Sequence, residues 1–291
     1  NTAGITGNVT NAGTFANNGA ITGNVVNNES KNFTNASTIS GTLNNSGLFE
    51  NGTATTNTVN GAVTNTATGT INTNITALKG TISNEGILNV KGGTTQNTIS
   101  GAGTMNIIEN TIANTDVTQG TLTVAGGKKY TNNGSKTTTV NTTLTNSGEI
   151  ANNGTFALYG TNNTGLFTGT GRLNVRGAIT ANANVTQGTI DITSGNSYSV
   201  NSSTTTTAST VSNAGTVNNS GTTTVTSSWT NSGNVYNKGT LNITSGTSDA
   251  RSNLGTIAKL DNTNGTVNTH GYLNVNNAIA NNFANASDGN V

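Results

Sequence analysis

The sequence predicts an all-β fold, a parallel β-helix (β-solenoid) in which each pass of the chain stacks on the one before. Three observations support this prediction: a short Asn-x-Gly repeat, a longer 67–68-residue repeat, and short triplets in which apolar and polar residues alternate. A fixed period of about 20 to 50 residues is typical of solenoids. We therefore expect a single β-solenoid domain over residues 1–291.

The short repeat is clearest from Val211 to Ile243, where two copies follow each other at an interval of eighteen residues. Each copy contains two Asn-x-Gly units, in which Asn lies two residues before Gly. Asn and Gly favour tight turns and tolerate positive φ, whereas Val and Thr favour strands. The pattern therefore indicates alternating turns and strands, and it places Trp229 in the core. The apolar residues between the Asn-x-Gly units are Val211, Val217, Trp229, Val235 and Leu241.

The longer repeat runs from about residue 84 to residue 221. Gln119-Gly-Thr-Leu-Thr-Val returns in the next copy of this repeat as Gln187-Gly-Thr-Ile-Asp-Ile, and Gly101-Ala-Gly returns as Gly169-Thr-Gly. Division of this interval by three predicts a rung of about 22 to 23 residues, which lies within the solenoid range. The whole chain would then form about 12 to 14 rungs.

The strands are indicated by triplets with apolar ends. Residues two apart on a strand share a face, so each triplet would place two apolar side chains inward. Corner Asn residues of successive rungs would stack into amide ladders. The Thr-rich text from about residue 53 to 80 predicts strands with a thin core. The triplets are Leu88-Asn-Val90, Leu122-Thr-Val124, Phe156-Ala-Leu158, Leu173-Asn-Val175, Leu241-Asn-Ile243 and Leu273-Asn-Val275.

The composition excludes several classes of protein. Charged residues make up 7% of the chain and the net charge is +1, whereas nucleic-acid binding requires clustered Lys and Arg. The pair Lys128-Lys129 is the largest basic cluster and is typical of a solvated turn. The absence of Cys excludes disulfides and thiolate metal sites.

Catalytic patterns are scarce in the sequence. His270 is the only histidine and lies in a predicted turn, without a nucleophile motif nearby. The aspartates are scattered, which gives no support for paired-carboxylate chemistry. We expect no enzyme activity, no cofactor and no metal site. These aspartates are Asp116, Asp191, Asp249, Asp261 and Asp288.

Two tyrosines are candidate contact residues. Tyr159 and Tyr236 each follow a predicted inward position, so both side chains should point outward, where they could stack on sugars or contact protein. Ice-binding solenoids carry Thr-x-Thr rows on one face. Thr runs such as 204–207 do not recur at the predicted rung spacing, which disfavours that function.

Three kinds of repeated string are relevant to the family of this protein. They are the Asn-x-Gly units at 11–21, 146–156, 213–221 and 231–241, the Gly-x-Gly strings at 101–107 and 169–175, and the Gln-Gly-Thr strings at 119–124 and 187–192. In these strings the sequence resembles passenger domains of bacterial type V secreted proteins, which are autotransporters and filamentous-haemagglutinin-like exoproteins. The resemblance implies a right-handed parallel β-helix, displayed at the cell surface or secreted by an outer-membrane translocator that lies outside this sequence. It also implies that the chain is part of a longer passenger.

The expected function is therefore an adhesin segment that mediates attachment, aggregation or biofilm formation through extended faces. Its expected partners are a host-cell surface protein or glycan, or identical chains, and not nucleic acid. Two alternatives remain open at this point. The chain could be an inert stalk that presents a distal domain, or an arm of a pore-forming autotransporter toxin.

Overall fold

The computed structural model is an all-β parallel β-solenoid of about 13 turns, which confirms the predicted fold class and number of rungs. It describes residues 1–52, 54 and 56–244, and beyond these the backbone of 253–261, 266–270, 272–275, 278–279 and 283–285; Asn163 and Thr244 are likewise described by backbone alone. The chain divides into two compact units, Asn1–Glu149 and Ile150–Val291. The single domain and the right-handed winding stay predictions.

Short strands alternate with tight corners along the chain. The strands as far as residue 146 are β1 (Val9–Asn11), β2 (Thr14–Asn17), β3 (Val25–Asn27), β4 (Asn32–Asn35), β5 (Leu43–Asn45), β6 (Leu48–Asn51), β7 (Val63–Asn65), β8 (Thr70–Thr73), β9 (Ile82–Asn84), β10 (Ile87–Thr94), β11 (Ile99–Ser100), β12 (Thr104–Ala113), β13 (Val117–Val124), β14 (Lys129–Asn132) and β15 (Thr137–Asn146). A short 3-10 helix (Ile75–Ala77) follows β8 and was not predicted. The side chain of Asn74 caps it by accepting a hydrogen bond from the Thr76 amide at 3.0 Å.

The remaining strands also alternate with corners. They are β16 (Glu149–Asn152), β17 (Thr155–Thr164), β18 (Leu166–Thr168), β19 (Arg172–Ala181), β20 (Val185–Ile192), β21 (Ser197–Val200), β22 (Thr205–Asn213), β23 (Thr216–Asn219), β24 (Thr222–Asn237), β25 (Thr240–Thr244), β26 (Asn253–Asp261), β27 (Thr266–His270), β28 (Tyr272–Val275), β29 (Ala278–Ile279) and β30 (Phe283–Asn285).

The rung length derived from the longer repeat is wrong for most of the chain, because a turn is usually shorter. Val9 pairs in parallel with Val25, and Leu88 pairs with Met105. In the second unit Val211 pairs directly with Trp229, eighteen residues on. The interval of eighteen residues between the two copies of the short repeat is therefore the turn itself. The six-residue spacing within each copy of the short repeat is the distance along the chain from one side of a turn to the next, and each turn has three sides.

The longer repeat does correspond to repeated structure within each unit. Leu88 stacks through Met105 to Leu122 in the first unit. The equivalent residues of the next copy form the same stack in the second unit, from Phe156 through Leu173 to Ile190.

The core consists of apolar columns that run from turn to turn. Phe15, Phe33 and Phe49 stack with ring centroids 5.0 and 5.6 Å apart. Trp229 is fully buried, as predicted. The apolar ends of the predicted triplets point inward wherever their side chains are described, and only Leu273-Asn-Val275 lies outside that part of the chain. Each turn thus contributes only a few large side chains, which suits the low apolar content of the sequence.

Buried Asn side chains form the predicted amide ladders. In the first unit each Asn donates from Nδ2 to the Oδ1 of the Asn one turn later. The final member, Asn84, donates to Gln119. The links of this ladder are Asn11 to Asn27 at 2.8 Å, Asn27 to Asn45 at 2.8 Å, Asn45 to Asn65 at 2.9 Å, Asn65 to Asn84 at 2.7 Å and Asn84 to Gln119 at 2.6 Å.

A second ladder follows another corner of the first unit. Its links run from Asn1 to Asn17 at 3.0 Å, Asn17 to Asn35 at 2.8 Å, Asn35 to Asn51 at 2.9 Å and Asn51 to the Thr73 hydroxyl at 3.1 Å. In the second unit Asn213 donates to Asn231, and Asn219 donates to Asn237 at 2.7 Å.

Backbone carbonyls fix the orientation of the ladder amides. Besides its link to Asn65, Asn45 Nδ2 donates to the Gly47 carbonyl at 2.9 Å. A carbonyl only accepts, so the amino group of the side chain must face it. The oxygen side is also used, because Asn213 Oδ1 accepts from the Gly215 amide at 3.0 Å. One side chain thus satisfies both its own turn and the next.

Glycine follows the ladder Asn for a different reason from the one predicted. Among the described residues only Ser30 and Ser135 combine a side chain with positive φ, so Asn does not occupy the left-handed region at these corners. A Cβ on Gly47 would lie 2.3 Å from the Lys31 carbonyl oxygen of the preceding turn. The Asn-x-Gly unit therefore combines a ladder amide with a residue small enough for close contact between turns.

The Gly-x-Gly and Gln-Gly-Thr motifs have a joint explanation. Gly101, at φ +126°, occupies the ladder position between Asn84 and Gln119 and has no side chain to contribute. The longer Gln119 side chain spans that gap and accepts from Asn84. Gln187 does the same over Gly169, where the Asn152 amide reaches it at 2.7 Å.

Replacement of one ladder amide should be costly. Asn45→Ala removes a member that accepts from Asn27 and donates to Asn65, so two buried amides lose partners. We expect a loss of roughly 2 to 3 kcal/mol in the free energy of unfolding, measured in urea. Asn44→Ala, at the exposed neighbouring position, should change it by less than about 0.5 kcal/mol. Equal effects of the two substitutions would contradict a structural role for the ladder.

The length of the bridging glutamines should also matter. Gln119→Asn shortens the side chain by one methylene, so it no longer reaches Asn84 and should cost about 1 to 2 kcal/mol in the same measurement. Gln187→Asn should behave alike because it bridges the equivalent gap. The control is Gln96→Asn at an exposed position, where no loss is expected. The bridge has no energetic role if Gln119→Asn unfolds at the same urea concentration as this control.

Candidate functional site

The structure places both sequence-predicted contact tyrosines on the outside of the solenoid. Tyr159 lies in β17 with 42% of its surface exposed, and Tyr236 lies in β24 with 37% exposed. Each follows a buried residue, Leu158 and Val235, so strand alternation turns the tyrosine outward as expected. Their role in contacts stays a prediction.

Tyr236 belongs to a patch that spans three consecutive turns of the second unit. The register of β21, β23 and β24 aligns Ser199 with Asn218 and Asn218 with Tyr236. The corner residues that follow them line a second column beside the first. We call these six residues the Tyr236 patch: Ser199, Asn201, Asn218, Ser220, Tyr236 and Lys238.

The Tyr236 patch lines an open groove of about 440 Å³. It combines an aromatic ring, an ammonium group, two amides and three hydroxyls, one of them the phenol of Tyr236. Asn218 Nδ2 donates to Ser199 Oγ at 3.2 Å, which fixes one amide. Lys238 forms no ion pair with any residue whose side chain the structure describes. Such a set can stack on an apolar ring face and hydrogen-bond to polar groups around it.

Tyr159 has a more highly charged neighbourhood. It pairs in register with Arg176 of β19, whose guanidinium lies 3.5 Å from Asp191. Arg172 also approaches Asp191, at 3.7 Å. Ion pairs at the protein surface contribute little to stability. The register places Tyr159 in a different column from Tyr236, whose column leads back through Ser199 and Thr180 to β17, so the structure does not bring the two tyrosines together.

The first unit has its own exposed apolar residues. Ile112 is 40% exposed and lines a groove of about 290 Å³ with Lys129 and neighbouring Thr and Asn residues. Ile87 and Ile108 are similarly exposed. Isolated exposed apolar side chains are common on soluble proteins and do not define a site by themselves.

The small basic cluster is neutralised by ion pairs. Lys128 Nζ lies 2.7 Å from Glu109, and Lys129 Nζ lies 2.9 Å from Glu149. The pair Lys128-Lys129 therefore offers little net charge to a phosphate backbone. Lys128 precedes β14 and Lys129 begins it, so the turn predicted at this pair lies just before it, at Gly126 and Gly127.

Among the residues that the structure describes, no three His, Asp or Glu side chains come close enough to hold a metal ion. No helix in that part of the chain has the length and apolarity needed to cross a membrane. His270 lies in β27 rather than in the predicted turn, and its side chain is outside the described residues.

Two buried tyrosines were missed by sequence reasoning. The hydroxyls of Tyr130 and Tyr198 lie 2.9 Å from the hydroxyls of Thr138 and Thr206, respectively. Burial raises the pKa of both phenols well above the usual value, and the threonine hydrogen bonds offset this only in part. The signal was present in the sequence, because both members of the pair recur in the second copy of the longer repeat.

The raised pKa values predict alkaline destabilisation. A tyrosine ionises near pH 10 when unfolded, whereas Tyr130 and Tyr198 stay protonated when folded. Their stabilising contribution is therefore complete below about pH 10 and is lost as the pH rises towards the folded pKa. Absorbance titration should show at least two tyrosines that ionise only when the β-sheet circular-dichroism signal disappears. In the double variant Tyr130→Phe/Tyr198→Phe this late step should be absent.

Comparisons with known proteins leave the fold as the main guide to function. The chain matches no family model, no curated protein and no solved structure at a significant level.

Proposed function

We propose that the chain is an adhesive segment of an extracellular bacterial protein, one that mediates attachment or self-association through its outward faces. The type V passenger resemblance and the β-solenoid fold support this proposal. In this proposal the partner is a host-cell surface protein or glycan, or an identical chain, and an outer-membrane translocator outside this sequence delivers the segment to the surface.

The observation that carries the proposal is the Tyr236 patch. An exposed aromatic ring lies beside a lysine, over a groove of about 440 Å³. Aromatic residues are enriched where proteins bind other molecules, because one rigid side chain buries a large area. A site with this composition suits a glycan or a protein loop better than a nucleic acid.

The proposed mechanism is cumulative contact. A single shallow groove binds weakly, but many copies displayed on one cell engage a surface together, which raises the effective affinity greatly. Because charged residues are only 7% of the chain, these contacts depend mainly on hydrogen bonds and ring packing. We accordingly propose no enzymatic activity and no cofactor for this segment.

One alternative function has structural support. The amide ladders and aromatic stacks hold successive turns in fixed register, which is also what a stalk presenting a distal domain requires. A stalk would keep its exterior free of specific contacts, so attachment experiments separate the two functions.

The adhesive function is tested with the chain immobilised on beads. We expect the beads to clump or to attach to cultured cells, and Tyr236→Ala/Lys238→Ala to lose most of this binding. The matched control is Asn234→Ala, an outward position on the same strand, which should bind as the unmodified chain does. Thermal unfolding should be the same for all three proteins.

Other outcomes would point elsewhere. Neither clumping nor attachment by the unmodified chain would favour the stalk. Conductance steps in a planar bilayer would instead indicate the toxin arm. If Asn234→Ala lowers attachment as much as the double variant, the Tyr236 patch is not the contact site.

A further inference from the structure

Outward Thr side chains form a regular array on one side of the second unit. The register aligns Thr205 with Thr222 and Thr222 with Thr240 in one column, while Thr207 lies between Thr186 and Thr224 in the other. Thr168 precedes Thr186 in that second column, because Phe167 pairs with Val185. We call these seven residues the Thr array: Thr168, Thr186, Thr205, Thr207, Thr222, Thr224 and Thr240.

The Thr array depends on the observed turn length. The longer predicted rung separates these threonines, whereas the observed register aligns them on neighbouring strands. The expectation that Thr-x-Thr rows do not recur at rung spacing is therefore wrong. Thr205-x-Thr207 and Thr222-x-Thr224 lie side by side in continuous pairing, before the irregularity that follows Ala208.

Buried residues on the inner face of the same strands hold the Thr array in place. Between its two columns Thr206 and Thr223 point inward and are buried, and each is hydrogen-bonded, Thr206 to Tyr198 at 2.9 Å and Thr223 to Asn219 at 3.0 Å. Ala208 and Val225 fill the adjoining core positions. Threonine is β-branched and restricted at χ1, so its hydroxyl and methyl groups keep defined positions. The outer surface is consequently preorganised.

The array repeats in two directions. Neighbouring strands lie about 4.8 Å apart, and residues two apart on one strand are separated by about 6.6 Å. Each member of the array carries one hydroxyl and one methyl group, and none is charged or aromatic. The Thr224 hydroxyl accepts a hydrogen bond from Asn242, which follows it in the same column. A neutral, regular surface of hydroxyl groups that both donate and accept is complementary to an ordered layer of water molecules.

We propose that the Thr array binds ice. A protein loop lacks a two-dimensional repeat, and a sugar ring is usually held by an aromatic side chain, which the array does not contain. A solid lattice of water presents neutral donors and acceptors at repeating positions, so several threonines can engage it at once. This activity is independent of the proposed adhesion at the Tyr236 patch, which lies on another side of the turn.

The test is capture of the full chain by slowly growing ice. The chain is mixed with a similarly sized protein that does not bind ice, and the fraction of each incorporated into the ice is measured. We expect enrichment of the chain over that reference. In Thr222→Tyr a bulky ring projects from the centre of the array, so capture should fall to the reference level.

The matched control is Thr216→Tyr, an outward threonine of β23 on another side of the turn, which should leave capture unchanged. Should Thr222→Tyr prove less thermally stable, Thr222→Ala/Thr224→Ala removes the hydroxyl and methyl groups without adding bulk and should also lose capture. The proposal is overturned if the unmodified chain is not enriched, or if Thr216→Tyr reduces capture as much as Thr222→Tyr does. Bead attachment through the Tyr236 patch should be unaffected by Thr222→Tyr, so the two functions fail separately.

Discussion

The buried amide ladder is the interaction on which the rest of the structure depends. A solenoid with so few large apolar residues must still fix the register of one turn on the next. The ladder does so because each Asn is buried and would be left without partners by a slip of one residue, as Asn45 shows between Asn27 and Asn65. Burial of an unpaired amide costs more than the net gain from one hydrogen bond. The register between turns is therefore set by the buried amides that a misaligned turn would leave without hydrogen-bond partners.

An interior that maintains register in this way leaves the exterior free to vary. Alternation along each strand sends every second side chain outward, where it neither packs in the core nor joins a buried ladder. The second unit uses this freedom differently on different sides: an Arg–Asp cluster near Tyr159, the mixed groove at Tyr236, and the neutral Thr array. Function on such a scaffold depends on which residues align from turn to turn, more than on any single residue.

The fold could be predicted from the sequence because its signals are local. Asn-x-Gly units mark the corners, and strand alternation places the ends of the apolar triplets inward and the two tyrosines outward. Turn length could not be derived from the longer repeat, because nothing in the sequence states how many turns that interval contains. The direct pairing of Val211 with Trp229 shows that the eighteen-residue interval was the better guide. The Thr array was rejected as a consequence of that error. Tyr130 and Tyr198 were missed because tyrosine was considered only as a surface residue.

The direction of the buried ladders has a consequence for how the chain grows into its native form. The buried amide links named above run the same way, from a donor in the earlier turn to an acceptor in the later one. Each completed turn thus presents N–H groups as a template, and the arriving turn supplies the oxygens. Aligned amides polarise one another, so each addition strengthens the links behind it. Folding in chain order then resembles the elongation of a filament from a seeded end.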